Sequence, residues 1–365
     1  MLSFMVYVGT YTHTGSTYRS EGIYVYRMDA ATGILTFVGA VAGIINPSFL
    51  AISADCRFLY AVNELFESTG ETEGELSAFA IDSRSGLLNL LNVQGTRGTL
   101  PCYVHINPQA RLAFVANYGS GSVTVLPIAE DGRLEVPIQI IEHHGSSINM
   151  PRQAAPHVHS ILLDSAARYA LVTDFGIDKI VVYQLDRANA ETPLLRVREV
   201  AVPAGSGPRH MAFHPNGRFL YVVNELSSTV TAFAYHQTGG TLAVLQNVTT
   251  LPEDFTGTNL CGDIHVAPSG AYLYVSNRGH DSMSIFAIDH TTGHLTIVGF
   301  VPTQGRTPRN FAFDPTGSWL LVTNQDSNTV VQFKVDRVSG QLTPTGQVVA
   351  VPTPSFVTII ALDKR

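Results

Sequence analysis

The sequence predicts an all-β fold, a seven-bladed β-propeller with four antiparallel strands per blade, and three features of the chain predict it. A segment recurs with a period of roughly 50 residues, within the range of propeller blades. Each copy carries two hairpin signals, which makes four strands. The two ends of the chain supply complementary parts of one further blade.

The template is Pro208-Arg-His-Met-Ala-Phe-His-Pro-Asn-Gly-Arg-Phe-Leu-Tyr-Val-Val-Asn224. It recurs from Pro308 to Asn324 and from Gly262 to Asn277, with weaker copies from Pro47 to Asn63, Pro101 to Asn117 and Pro156 to Asp174. In each copy two β-branched and aromatic runs flank a Pro-x-Gly type turn, a hairpin signal. A second hairpin follows, in which Asp-x-x-(Thr/Ser)-Gly precedes a Leu-led run, as at Asp29 to Leu35, Asp82 to Leu88, Asp289 to Leu295 and Asp336 to Leu342. Its Gly suits the positive-φ position of a short bulged turn.

Six complete repeats run from about residue 46 to 350. Before them, Val6–Tyr11, Ile23–Tyr26 and Leu35–Val38 read as three strands without an inner partner; Pro354–Ile360 reads as the missing strand. Joining the termini in one blade closes the ring and leaves no open edge there. Residues 1–365 are thus expected to form a single domain. One Trp and no Gly-His…Trp-Asp signature argue against a WD40 propeller.

Composition agrees: 45% hydrophobic and 14% charged residues suit a packed core. The 31 Gly and 19 Pro are spread along the chain, as tight turns require. A formal charge of −7 argues against nucleic-acid binding. Cys56, Cys102 and Cys261 are odd in number and far apart, hence read as buried reduced thiols, with neither zinc nor disulfide implied. The N-terminus lacks a basic segment and a long apolar run, so no leader and no membrane span is read, and a cytoplasmic location is expected. No cofactor is expected, and a monomer or weak homo-oligomer suffices.

Strand direction predicts which face carries chemistry. The first strand of a blade starts where the second ends, so these positions form two rings on one face. They hold Asn63 and Glu64; Tyr103, Asn117 and Tyr118; His157, His159 and Asp174; Arg209, His210, Asn224 and Glu225; Asp263, Asn277, Arg278 and His280; and Arg309, Asn310, Asn324 and Gln325. Ionisable groups at a channel mouth are the default site. The Asn that closes nearly every second strand suits a turn-capping role. Blade-specific residues, the His157/His159 pair, Glu225 and Arg278, are the better functional candidates. His143 and His144 lie in an insertion, Glu142 to Ala155, that reads as a rim or lid; no spacing makes them metal ligands. The acidic run Glu67 to Glu75 reads as a solvated loop.

Several segments are similar to signatures of the seven-bladed lactonase family: Pro156-His-Val-His-Ser160, Gly207-Pro-Arg-His-Met-Ala-Phe-His-Pro215, Tyr221-Val-Val-Asn-Glu-Leu226 and Ser276-Asn-Arg-Gly-His-Asp281. Val6-Tyr-Val-Gly-Thr-Tyr-Thr12 and Val115-Ala-Asn-Tyr-Gly-Ser-Gly-Ser122 do the same, so the resemblance spans essentially the whole chain. That family includes propeller-type bacterial 6-phosphogluconolactonase and fungal carboxy-muconate lactonizing enzyme. The resemblance implies a site made of Arg209, Glu225, Arg278 and either His159, which is preferred, or His157. His157, His210, Asn117, Asp174, Asn277 and Arg309 are expected to bind substrate, with no metal. It implies a metal-independent lactonase of the pentose phosphate pathway acting on a small anionic lactone. His159 or Glu225 would take a proton from water; Arg209 and Arg278 would share the oxyanion and the anionic tail. The rivals are a muconate cycloisomerase and a propeller platform without catalysis.

Overall fold

A run such as Phe219–Asn224, FLYVVN, is buried at every position, as a strand sandwiched between two neighbouring sheets must be. An outermost strand such as Leu342–Ala350 is exposed along most of its length. Burial therefore falls from the axis outward. In the computed structural model, which describes residues 2–13, 20–65, 73–107, 109 and 111–361, the chain forms seven four-stranded antiparallel sheets. Residues 67–72 of the acidic run lie outside the described residues.

Seven inner strands surround the axis: Leu50–Ile52, Pro101–Asn107, Val158–Leu163, Pro208–Phe213, Leu260–Val266, Pro308–Phe313 and Pro354–Ala361. Each touches the next, and the last touches the first, so the ring is closed. In the closing blade Pro354–Ala361 pairs antiparallel with Ser3–Thr10, from Phe4 opposite Ala361 to Thr10 opposite Pro354. The termini thus share one sheet, as the sequence predicts. The four Asp-x-x-(Thr/Ser)-Gly turns also behave as expected: at Gly33 φ is 73°, while Asp29 Oδ1 accepts from the Ala31 and Thr32 amides.

A backbone irregularity recurs where the inner strands begin. In six sheets the inner pair shifts register at that point, as between Pro208 and His210 or Pro308 and Asn310. A residue such as Arg209 has no partner across the ladder there, which is a β-bulge.

The blades are fastened to one another by buried tyrosines. Tyr7, Tyr60, Tyr221 and Tyr274 sit on second strands, and each hydroxyl donates to a glycine carbonyl in the next blade's outer hairpin. The acceptors are Gly86, Gly132, Gly293 and Gly340, at 2.7 to 3.1 Å. All four tyrosines are at most 1% exposed, and burial pushes each phenol above its ordinary range.

The recurrent asparagines serve the turns. Asn277 Oδ1 accepts from the Thr250 hydroxyl and the Asn259 amide, while its Nδ2 donates to the Ser284 hydroxyl and the Thr250 carbonyl. Asn117 Nδ2 donates to the hydroxyls of Ser122 and Thr124. Replacing Asn277 by Leu should therefore lower unfolding free energy by about 2 kcal/mol. Tyr221→Phe should cost about 1 kcal/mol. Urea midpoints read both, with the exposed Val338→Ala as the control that should stay within about 0.5 kcal/mol.

Candidate active site

On the side where the inner strands begin, the ring positions converge as strand polarity demands. Glu225 follows directly after the second strand Phe219–Asn224; Arg209 occupies the bulge of its partner Pro208–Phe213. Arg209 Nε lies 3.1 Å from Glu225 Oε2, close but without a linear hydrogen bond. Arg278, at the end of strand Tyr272–Arg278 in the adjacent blade, brings Nη2 within 2.7 Å of the same oxygen. Each guanidinium is also anchored to backbone: Arg209 Nη1 donates to the Gly262 carbonyl, Arg278 Nη2 to that of Cys261.

A third cation completes the cluster, and sequence reasoning missed it. Arg152 Nη2 donates to Glu225 Oε1 at 3.0 Å, from the short helical turn Met150–Gln153 inside the insertion. Its guanidinium stacks over Phe175, 4.9 Å from the ring centroid. The insertion is a pinned rim rather than a lid. His143 is buried, with Nδ1 on Asp174 and Nε2 on the Tyr183 hydroxyl, both at 2.7 Å; Gln153 Nε2 donates to the Phe175 carbonyl. His144 is exposed.

Charge and burial decide what these groups can do. Burial alone raises the Glu225 pKa, but Arg278, Arg209 and Arg152 outweigh it and hold the carboxylate at about 2. Glu225 is therefore a permanent anion and a weak base. Arg209 is pulled down to about 10 by burial, then by the cations of Arg278 and Arg309. Three guanidiniums against one carboxylate leave an excess of positive charge in a chain of net charge −7.

His159 sits at the bulge of the neighbouring inner strand and is 6% exposed. Burial, then the charge of Arg209, holds its imidazole well below the ordinary range, so it is neutral. Its ring lies 5.3 Å from that of His210 and 5.4 Å from that of Tyr118. Cys102 lies 3.7 Å from Nδ1, but burial raises the thiol pKa, which leaves it protonated and no nucleophile. His157 is half-buried, stacked on Tyr118 at 4.4 Å, with Nδ1 bonded to the Tyr118 carbonyl. Of the two histidines, His159 is the one set among the arginines.

Beneath this level a second ring closes the channel. Phe49 packs on Tyr103, Phe356 and His210, residues of four different blades, at centroid distances from 4.1 to 5.8 Å. Opposite the aromatics runs a polar chain: His210 Nδ1 on Asp263 Oδ1 at 2.7 Å, and Asn310 Nδ2 on Asp263 Oδ2. An acceptor-only carboxylate places the proton on His210 Nδ1, so Nε2 carries the lone pair; it is buried and has no partner among the described residues. Burial and Arg209 hold His210 down to about 4. Arg309 belongs to a separate group, donating to the Tyr11 hydroxyl, which donates to Glu64 Oε2, each at 2.7 Å.

Three expected substrate contacts are corrected. Asp174 spends Oδ1 on the backbone amides of His157 and Gly176 and Oδ2 on His143. Asn277 spends Oδ1 on Thr250, just past the outer strand of the preceding blade, and Nδ2 on Ser284 of its own hairpin, and Asn117 gives its amide to its own hairpin. All three are 0% exposed and structural. Cys102 and Cys261 are buried free thiols as expected, whereas Cys56 is only half-buried. Among the described residues no cluster of three or more His, Cys, Asp or Glu could hold a metal ion, and no helix is long and apolar enough to cross a membrane.

Fold, arginine cluster and family match together define the class: a propeller enzyme of the hydrolases, with an arginine-lined mouth. Within that class the chain belongs to the lactonase family, whose model, "Lactonase, 7-bladed beta-propeller", matches residues 5–359. It is 36% identical to the 6-phosphogluconolactonase of Bacillus subtilis strain 168 over 314 residues, 86% of each chain. It is 35% identical to that of Formosa agariphila over 312 residues, 85% of this chain and 86% of the other. The solved periplasmic gluconolactonase of Pseudomonas aeruginosa is 37% identical, with a TM-score of 0.93 over 99% of this chain and 100% of that one.

The Glu225 pairing sets a sign for pH dependence. A carboxylate depressed in the fold stabilises above its ordinary pKa of 4.5 and loses that contribution as pH falls toward about 2. Glu225→Gln should destabilise at pH 7 by about 3 kcal/mol, since it leaves buried cations uncompensated. The gap to wild type should narrow between pH 5 and 2, as urea unfolding at each pH measures.

Proposed function

We propose that the protein hydrolyses 6-phosphogluconolactone, an anionic sugar δ-lactone, to 6-phosphogluconate. The observation that carries this reading is the convergence of Arg152, Arg209 and Arg278 on the single buried carboxylate of Glu225. A lactone opens through a tetrahedral oxyanion, and preorganised, largely buried donors stabilise it. Arg209 and Arg278, anchored by backbone carbonyls, supply those donors; Glu225 holds their planes in place. His159, neutral and beside Arg209, takes the proton from water. Its low basicity suffices for a strained ester that also opens unaided.

In this reading the chemistry is metal-independent, because guanidinium groups fill the electrophilic role. A single chain carries the whole pit, so a monomer is competent. Among its relatives, the Bacillus subtilis protein is a 6-phosphogluconolactonase and the Pseudomonas aeruginosa protein a periplasmic gluconolactonase. We place this protein with the former, in the cytoplasm and the pentose phosphate pathway.

The test is lactone opening followed by proton release, corrected for spontaneous hydrolysis, beside a muconate cycloisomerase assay. The wild type should accelerate lactone opening and leave carboxy-muconate untouched; the reverse result overturns the reading. Arg209→Lys and His159→Gln should each lower kcat about 100-fold. With His159 neutral throughout, kcat should vary little between pH 6 and 8. A steep rise across that range would remove His159 as the base.

A further inference from the structure

The three guanidiniums on Glu225 are not equivalent. Arg209 and Arg278 share Oε2, are each tied to an inner-strand carbonyl, and have side chains only 4% and 11% exposed. Arg152 alone reaches Oε1, comes from outside the ring of blades, and is 39% exposed. Neither of its other neighbours, the Phe175 face and the Tyr118 hydroxyl, is an anion at neutral pH. Withdrawing Arg209 or Arg278 would break a deeply buried pair, a costly step. Withdrawing Arg152 leaves Glu225 with two cations. Arg152 is therefore the one charge in the cluster free to change partners.

Its backbone is pinned on both sides, while its side chain is the most exposed of the three. Gln153, the next residue, is fully buried and bonded to the Phe175 carbonyl; Ser147 donates to Asp178 at 2.5 Å on the other side of the turn. The guanidinium is thus carried on a rigid mount, with its outer side open to solvent. A planar fork of donors matches a phosphate monoester bidentately, which a sugar hydroxyl cannot imitate.

We propose that Arg152 is the specificity-determining residue that takes the terminal phosphate of the substrate, exchanging Glu225 Oε1 for phosphate oxygens when a phosphorylated lactone enters. This rests on the lactonase reading of the pit and adds the selection of phosphorylated over unphosphorylated sugar lactones. The carbonyl then lies deeper, at Arg209 and Arg278, and the tail points to the rim.

The experiment compares 6-phosphogluconolactone with glucono-δ-lactone in the wild type, Arg152→Gln and Arg152→Lys. The ratio of kcat/KM values, phosphorylated to unphosphorylated, should fall at least about tenfold in Arg152→Gln, chiefly through KM, as loss of one charge-assisted contact implies. Arg152→Lys should recover part of it, keeping the charge without the fork. An equal loss on both lactones would mean that Arg152 merely supports Glu225, and the proposal falls. Calorimetric binding of 6-phosphogluconate and gluconate reads the same residue without turnover. A wild-type preference for the phosphorylated acid that Arg152→Gln lacks supports the assignment; no preference, or one the variant keeps, overturns it. Failure of the lactonase reading looks different, since the wild type would then open neither lactone above background.

Discussion

Where an inner strand begins, one residue drops out of the ladder, and the pit depends on that irregularity. In regular pleating, successive side chains point to opposite faces. The bulge between Pro208 and His210 suspends the rule, so that neighbouring residues both serve the channel. Arg209 reaches Glu225 and the Gly262 carbonyl, while His210 reaches the aromatics across the axis. The same device recurs at His159 and Arg309. It stacks a charged ring directly above a closing ring. Without it, half of these side chains would turn into the packing between blades, where a guanidinium has no place.

Once the bulges aim the cations inward, electrostatics limits their roles. A carboxylate held near pKa 2 and a thiol raised by burial are both unsuited to proton transfer or attack at neutral pH. A neutral imidazole beside Arg209 remains available. The cluster is built to hold charge in position rather than to pass it along, consistent with stabilisation of a developing anion as the main contribution.

What was legible in the sequence follows the range of the interactions involved. Hairpin signals, the Asp-x-x-(Thr/Ser)-Gly turns and the complementary termini are local patterns, and strand polarity then places Arg209, Glu225 and Arg278 at one mouth. The tyrosine fasteners were half visible: Tyr221 recurs in the template, but its acceptor Gly293 lies 72 residues away. Arg152 could not be found by ring position, because an insertion has no counterpart in the other repeats. One signal could have drawn attention to it: an Arg beside a Pro in a segment already read as a rim or lid. Asp174 misled for the opposite reason. It stands where other blades carry Asn, and its charge suggested a function, yet it accepts from two backbone amides and from His143, capping the turn and mooring the insertion.

Seven similar blades would by themselves give a symmetric channel with no reason to bind a ligand at any one side. Symmetry is broken chemically, at the ring positions. On one flank Arg309 is matched to Glu64 through the Tyr11 hydroxyl, a chain with equal numbers of cations and anions. On the other, three arginines face one glutamate. The floor divides the same way, with Phe49, Tyr103 and Phe356 against His210, Asp263 and Asn310. An entering anion therefore meets surplus charge off the axis, on the flank that holds His159 and Arg209. The unpartnered Nε2 of His210 lies in the floor below, where an acceptor can meet a hydroxyl of a ligand drawn to that flank. On the lactonase reading, off-axis charge above and a half-polar floor below would orient a small lactone in a way that a uniformly charged channel could not.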